Sequence, residues 1–521
     1  MDYEKILQAS EGRILYLVVK DAFRKALIKY SMAKNDRAIL VWYDTIKDGD
    51  YFSTLQPWQV VNRLPSINLI CRKTPFVRLI NRIQPFFPKL YTFLPKSYIL
   101  PIQNAEFQQM VLKHDKKYIV KSDNGSLGLG ISIISPSMSY EPVTYLAVAQ
   151  EYVESCLVDS TKFDCRIYVL IASINPLKVY IYRGGVARFC SMASGSDSIY
   201  SQLTNTAVNK QNTNVTIDQI TRMVTDVFER LKSQGADIDL LWKKIDQAIV
   251  LTILSAYEFL SQDEAKKCPN CGYSRCFQIL GFDVLIDEKY DPIILEVNYR
   301  PSLETDTDAE KAMKAEMLSE AMLIACPLTN VQKIVINTKI EYNNEGWRNF
   351  IKANSYIMED VNKQLNANLK ASHFVQAYPC EDSSIMSEYK AVLAKVKTLP
   401  IGVDEKFKLP VEYVLNTSNS HPESLPPLNP NNTLNNSKEN PPFHVKDAPK
   451  PIEKTYMSHQ KSFLPPVQAS PIISSTNVSQ STSNSYMNST NGILKSVNHP
   501  KRNVIRPHQL KLQPKSVFQA H

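Results

Sequence analysis

Gly281-Phe-Asp283-Val-Leu-Ile286, a polar turn at Asp287-Glu-Lys-Tyr-Asp291, and then Ile293-Ile-Leu-Glu296-Val-Asn298 form the stretch that decides how this chain is read. Two apolar runs flank a polar turn, the pattern of an antiparallel hairpin. Side chains alternate across a strand, so Glu296 and Asn298 share a face and Asp283 can lie opposite them. Two carboxylates and an amide oxygen within apolar strands make an all-oxygen set suited to Mg²⁺ that bridges nucleotide phosphates. The alternative is a purely structural polar trio.

Upstream, Lys162-Phe-Asp164-Cys-Arg166 puts three charged side chains on one face of a strand that continues as Ile-Tyr-Val-Leu-Ile-Ala172. Charges on such a face are costly to bury unless they are paired or bound to ligand. Val179-Tyr-Ile-Tyr182, after Asn175-Pro176, is the partner strand and brings Arg188 toward Arg166. Two arginines and a lysine suggest an anion site; a structural salt-bridge ladder is the other reading. Further back, Lys117-Tyr-Ile-Val-Lys121 ends an apolar strand, and Gly125, Gly128 and Gly130 follow before Ile131. Glycines let backbone N–H groups approach phosphate oxygens, and the lysine supplies a point charge. No Gly-Lys-Ser/Thr follows, so this is not a Walker A loop; an ordinary glycine-rich hairpin also fits it.

The remainder of the chain bounds the chemistry. Of 521 residues, 44% are apolar and 21% charged, an ordinary globular composition that is long enough for several domains. Six of the eight histidines lie beyond residue 415, leaving His114 and His373. A His-built zinc site or a Ser–His–Asp triad therefore has almost no material. Lys, Arg, Asp, Glu and Asn remain, the palette of phosphoryl chemistry with a hard metal ion. Nine scattered cysteines fit a reducing compartment, and Cys268-Pro-Asn-Cys271 with Cys276 is a weak zinc signal, read in preference as free thiols. The N-terminus has no signal-peptide pattern and no apolar run reaches membrane-spanning length, so an intracellular soluble protein is expected.

Arg37-Ala-Ile-Leu-Val-Trp-Tyr43 reads as a buried strand before a turn at Lys47-Asp48-Gly49-Asp50. Ile217, Ile220, Met223, Val224, Val227, Phe228 and Leu231 recur at helical spacing and read as core. Residues 340–400 read as amphipathic helix. Beyond 415 the chain is rich in Asn, Ser and Pro, holds 14 of the 31 prolines, and carries most of the net charge of +9. It is expected to be disordered, and its basic character suits an acidic partner. The expected domains are 1–75 (N-terminal α/β), 76–145 and 146–330 (two nucleotide-site subdomains), 331–415 (helical) and 416–521 (basic tail).

A wider set of motifs carries a family resemblance. Cys71-Arg-Lys73, Phe93-Leu-Pro-Lys-Ser-Tyr-Ile-Leu-Pro101, Lys121 with its glycine loop, and Gln150-Glu-Tyr-Val-Glu154 occur in order. Lys162-Phe-Asp-Cys-Arg-Ile-Tyr-Val169, Gly185-Val-Ala-Arg188, Leu203-Thr-Asn205, Cys276-Phe-Gln-Ile-Leu-Gly-Phe-Asp283 and Leu295-Glu-Val-Asn298 follow. Across roughly residues 60–325 this set resembles the tubulin tyrosine ligase-like proteins, and their polyglutamylases most of all. The resemblance implies an α/β (α+β) ATP-grasp fold with mainly antiparallel sheets. It implies ATP and Mg²⁺, with Asp283, Glu296 and Asn298 on the metal. Arg166, Arg188 and Lys73 would serve catalysis. Lys121, Gly128, Gly130 and Ile131 would lie along the phosphates. Gln150, Glu151, Tyr152 and Val153 would form the hinge around adenine, with Lys162 reaching the adenine, Asp164 the ribose, and Thr204 and Asn205 the phosphates and amino acid.

The implied reaction is glutamate addition to acidic tubulin tails through an acyl phosphate. The implied partners are tubulin or microtubules and free glutamate, without nucleic acid or membrane, for a monomer in the cytoplasm and cytoskeleton, including cilium or basal body. Glycine or tyrosine ligation, a small-molecule ligase, and a non-catalytic microtubule-binding protein are the alternatives. Three departures from the family pattern stand out: Ser122 where Pro is usual, Gln202 where His is common, and Arg300 where a small residue or Ser is usual.

Overall fold

In the computed structural model, residues 5–9, 16–31, 36–44, 49–123, 125, 128, 130–337 and 343–399 are described. The tail from 416, the Lys47-Asp48 turn and positions 124, 126, 127 and 129 of the glycine loop lie outside them. Contacts divide the chain into Met1–Lys446 and Asp447–His521, and all described residues fall in the first unit.

Three sheets organise that unit. The first is parallel, in the order β2 (Ile28–Ser31), β1 (Lys5–Ala9), β3 (Leu40–Trp42), β4 (Val60–Val61). The expected strand at 37–43 is β3, and its three residues are buried. The second sheet has four antiparallel strands, in the order β5 (Ser97–Leu100), β8 (Ala147–Glu151), β6 (Tyr118–Ser122), β7 (Ile131–Ile134). The helix Asn104–Val111 lays Phe107 and Val111 into a small core with Tyr98, Tyr118 and Val120 of this sheet. The expected boundary between residues 145 and 146 therefore falls one strand early. β8 is bonded between β5 and β6, and apolar pattern alone does not reveal the partner of a strand.

The third sheet carries the charged motifs. Its path is β12 (Thr221–Met223), β11 (Leu177–Phe189), β10 (Thr161–Ile174), β13 (Gln278–Ile286), β14 (Pro292–Asn298), with β9 (Leu157–Val158) on β10 and β15 (Phe374–Tyr378) on β11. Along β10 the faces differ. Phe163, Cys165, Ile167, Val169 and Ile171 all belong to one core, shared with Leu251, Leu254 and Leu260 of the long helix Ile238–Lys267. On the other face, Tyr168, Leu170 and Ala172 enter a second core with Met317, Leu318 and Ala321 of the helix Asp308–Ala325. The same face continues as Arg166, Asp164 and Lys162. The sheet is thus buried on both sides at one end and open for chemistry on one side at the other.

Two helical readings change. The stripe from Ile217 to Leu231 breaks into the turn Ile217–Ile220, strand β12 and the helix Val224–Ser233. β12 adds to the free edge of β11, with Thr221 opposite Arg188; edge pairing overrides a helical pattern there. Likewise 344–398 is helical at Asn344–Ala353, Ser355–Lys370 and Ser383–Thr398, but β15 interrupts it and pairs with β11. The first sheet is tied to the third where Val61 N donates to Arg275 O (2.9 Å) and Phe277 N to Val61 O (3.0 Å). Among the described residues no helix is long and apolar enough to cross a membrane.

Candidate active site

Strand register assembles the site. Asp283 on β13 sits directly opposite Glu296 on β14, and Gly281 opposite Asn298. On the other side of β13, Asp283 faces Arg166 of β10; on the far edge of β10, Asp164 faces Arg188 of β11. The register between β13 and β14 slips just past Asp283, where Val284 pairs with Ile294 and Leu295 is left over. Such a bulge re-aims side chains. Here Ile294 and Val297 both enter the core below, while Glu296 and Asn298 stay on the site face.

Electrostatics bind this row together. Arg166 Nη2 donates to Asp283 Oδ2 at 3.1 Å. Arg188 grips Asp164 in a two-pronged pair, 2.6 and 2.8 Å, and its Nη2 also lies 2.8 Å from Asp283 Oδ2. Thr204 Oγ1 donates to Asp164 Oδ2 at 2.5 Å. Burial by itself would raise the Asp283 pKa, but Arg166 and Arg188 outweigh it and hold the carboxyl below the usual carboxylate range. Burial works equally against charge on the two guanidiniums, and their carboxylate partners more than restore it. Glu296 differs: partial burial and then the neighbouring Asp283 push its pKa up, with Lys73 opposing at 3.9 Å. The arginines therefore do not form the bare anion site expected from sequence; each is already paired with a carboxylate.

Gly281 is what lets Arg166 lie here. A Cβ at this position would come within 2.8 Å of both Arg166 Cδ and Pro301 Cβ. Gly128, at φ +83°, performs the same service for the loop above the site, where a Cβ would meet Val208 Cγ2 at 2.6 Å.

The row forms the floor of a cleft of about 870 Å³, part of it open to solvent, roofed by the four-stranded sheet. Lys73, Lys121, Gly128, Ile131, Gln150, Glu151, Tyr152, Val153, Lys162, Asp164, Arg188, Thr204, Asn205, Asp283 and Glu296 all line it. Lys121 Nζ donates to Gln150 Oε1 (3.0 Å), and Gln150 Nε2 to Ser97 Oγ (2.9 Å). Lys162 Nζ donates to Tyr152 OH (2.7 Å) and lies 4.1 Å from the centre of its ring. Burial lowers both lysines to about 8. Two buried ammonium groups without a carboxylate in hydrogen-bond contact are what a polyanionic ligand would stabilise.

Arg166 and Asn298 are not on the cleft wall but on a wider adjoining groove, about 2010 Å³ including open solvent. Lys73, Gly125, Arg188, Asn205 and Glu296 border both spaces. Gly130 lines neither; it holds the loop, its carbonyl accepting from Ser122 N (2.9 Å). Asp164, expected at a ribose, has both oxygens engaged by Arg188 and Thr204. Asn298 turns its amide nitrogen toward Asp283 (3.4 Å) and Glu296 (3.2 Å). The carboxylates of Asp283 and Glu296 fit a divalent cation, and turning the Asn298 amide over would add its oxygen to the set.

Several wall residues escaped the sequence reading. Pro95, Ile119, Leu285 and Leu295 supply apolar surface, for which one sequence carries no chemical signal. Asp123 was legible in principle, as an acid inside the glycine-loop motif. It takes a hydrogen bond from Thr74 N (2.8 Å) and pairs with Arg72, anchoring the segment that carries Lys73. Lys73 Nζ in turn donates to Gly125 O (2.7 Å). The three cysteines do not converge: Cys268 and Cys276 meet in one core, and Cys271 belongs to the other. Among the described residues the group that does gather at metal-ligand spacing is Glu316, Glu320 and His373.

Comparison with known proteins gives this geometry its context. The profile of the Tubulin-tyrosine ligase family matches residues 52–334, more than half of the chain. Tubulin polyglutamylase ttll6 of Danio rerio is 31% identical over 345 residues, which is 62% of this chain and 44% of that protein. Tubulin polyglutamylase TTLL13 of Mus musculus is 32% identical over 304 residues, 56% of this chain and 38% of its own. The probable beta-tubulin polyglutamylase of Tetrahymena thermophila is 30% identical over 348 residues, 63% and 29% respectively. The chain thus spans less than half the length of the curated relatives it matches. With the site motifs inside the matched span, the chain is a member of the Tubulin-tyrosine ligase family.

Proposed function

We propose that this chain is an ATP-dependent ligase of the ATP-grasp type that adds glutamate to the acidic C-terminal tails of tubulin, in the cytoplasm and on the cytoskeleton. The observation that carries the proposal is the row Arg188–Asp164 and Arg166–Asp283–Glu296, lying beneath two buried lysines and opening into a groove. Support for the amino acid and the acceptor comes from the relatives, which are named tubulin polyglutamylases.

In this reading adenine lies between the two sheets, among Ile119, Ile131, Leu285 and Leu295, with the Gln150–Val153 segment along its edge. Lys121 loses its burial penalty when phosphates approach, and Lys162, bonded to Tyr152 OH, lies at the adenine edge. Arg166 and Arg188, held rigid by their carboxylates, face the terminal phosphate and need no reorganisation when charge develops. Asp283, Glu296 and Asn298 would hold Mg²⁺, which neutralises charge on the phosphates and on the transferring group. The acceptor carboxylate takes the γ-phosphoryl group to give an acyl phosphate. The amine of free glutamate then attacks the carbonyl carbon, phosphate leaves, and an amide remains. Much of the acceleration comes from holding three reactants in one place.

The test is mass spectrometry of tubulin after incubation with the full chain, ATP, Mg²⁺ and an equal mixture of glutamate, glycine and tyrosine. Added glutamate on the tails is expected. Added glycine or tyrosine alone would overturn the amino-acid assignment. No addition, despite ATP binding, would overturn the ligase.

A further inference from the structure

The groove beside the cleft is lined by seven cations and by the carboxylates of Asp123, Glu296, Glu304, Asp306 and Glu310, and the cations are not equivalent. Arg72 pairs with Asp123, Lys73 with Gly125 O, Lys210 with Asp306 (2.7 Å), and Lys314 with Glu310 (2.6 Å). Arg166 and Arg188 are held by Asp283 and Asp164. Arg300 is exposed and has no hydrogen bond or ion pair to any described residue. It lines the groove and a smaller pocket beyond, walled by Trp42, Asn62 and Tyr299, and does not line the nucleotide cleft.

The stem that carries this guanidinium is fixed although the side chain is free. Tyr299 O accepts from Nε2 of the fully buried Gln278 at 2.8 Å. Pro301 is buried and lies over Gly281, beside Arg166. The residue before a proline is also restricted toward extended backbone. Arg300 is thus presented from an anchored backbone, two positions after Asn298. A planar guanidinium so placed suits a carboxylate, which it can bind with two parallel hydrogen bonds.

We infer that Arg300 binds a carboxylate of the acceptor polypeptide and so helps select which acidic chain enters the groove. The inference rests on the ligase reading above and goes beyond it by naming a specificity residue peculiar to this chain's departure from the family pattern. The other source of a carboxylate is free glutamate. The location favours the acceptor: the co-substrate amine must reach the phosphorylated carboxyl near Lys73, Arg188 and Glu296, where cleft and groove meet, and Arg300 lies outside that shared border.

The experiment compares the full chain with Arg300→Gln and Arg300→Lys. One arm measures, by fluorescence anisotropy, the binding of a labelled eight-residue glutamate peptide and of its all-glutamine counterpart. A second arm measures KM for tubulin, for free glutamate and for ATP. Arg300→Gln should weaken the glutamate peptide and raise the tubulin KM by about tenfold, the size of one exposed charge-assisted contact. KM for glutamate and ATP, kcat, and binding of the glutamine peptide should not move. Arg300→Lys should recover most of the loss. An unchanged glutamate-peptide affinity would overturn the inference, as would a rise in KM for free glutamate with tubulin unaffected. Absence of ligation by every form, with the glutamate peptide still weakened by Arg300→Gln, would sink the ligase reading and leave the assignment of Arg300 standing.

Discussion

The cleft between the sheets and the neighbouring groove use the same residue types for opposite ends. In the row beneath the cleft, whose Arg166 end borders the groove, Arg166, Arg188, Asp164 and Asp283 are nearly sealed from solvent, each carboxylate held by at least one guanidinium. In the groove the pairs are mixed: Lys210 and Asp306 are 45% and 33% exposed, Lys314 and Glu310 are buried, and Arg300 has no partner among the described residues. Buried pairs are rigid because removing one partner strands the other in a poor dielectric. Exposed pairs exchange readily with water and ligand. On the function proposed above, the difference suits the first surface to a fixed reactant geometry and the exposed part of the second to variable polypeptide.

Mutations that strike the buried row sharpen this contrast most. On the proposed mechanism Glu296→Gln should lower the rate of glutamate transfer by about a thousandfold or more, since it removes a carboxylate that would hold Mg²⁺ where charge develops. Its thermal midpoint should hold, because the glutamine leaves the hairpin apolar face untouched; a variant that kept near-normal rate would remove Glu296 from the chemistry. Asp164→Ala strands Arg188 on a single remaining partner and should cost about 3 kcal/mol in urea denaturation. A loss below about 1 kcal/mol would mean that the row is not a rigid unit.

pH probes the lysines above it. On the proposed mechanism Lys121, lowered to about 8, is charged below that pH and would hold polyphosphate in that charged form. Nucleotide affinity measured by calorimetry should therefore fall as pH rises from 7 to 9, and Lys121→Met should flatten most of the fall. For stability the sign is opposite. A lysine whose folded pKa is depressed penalises the fold while charged, and that penalty is relieved as pH rises from about 8 toward 10.5. At the small end, Lys210→Ala breaks an exposed pair and should shift stability by less than about 1 kcal/mol. A larger loss would make the groove as rigid as the cleft and erase the distinction.

Particular residues show how far sequence reading reached into fold and site. The hairpin of β13 and β14 was readable from period-two alternation, and with it the juxtaposition of Asp283 and Glu296. The charged face of β10 was readable for the same reason. What the two arginines do there was not. Lys162, Asp164 and Arg166 look alike as an anion site or a salt ladder, and only the register between β10, β11 and β13 pairs them with carboxylates. The stripe at 217–231 and the run at 340–400 misled because an unpaired edge of β11 draws short segments into strand. β8 was not singled out as a strand, and its place in the four-stranded sheet came only from the structure.

From sequence alone the local geometry follows: alternation sets which side chains share a face, glycine marks where the backbone must come close, and the scarcity of histidine leaves Lys, Arg and carboxylates for the chemistry. These are properties of a few neighbouring residues. The pairing of Arg188 with Asp164, the meeting of Lys73 with Gly125 across 52 positions, and the solitude of Arg300 were decided only by tertiary structure. They depend on which strand edges meet and what each packed layer excludes, and that is a property of the whole chain's lowest free energy rather than of any segment.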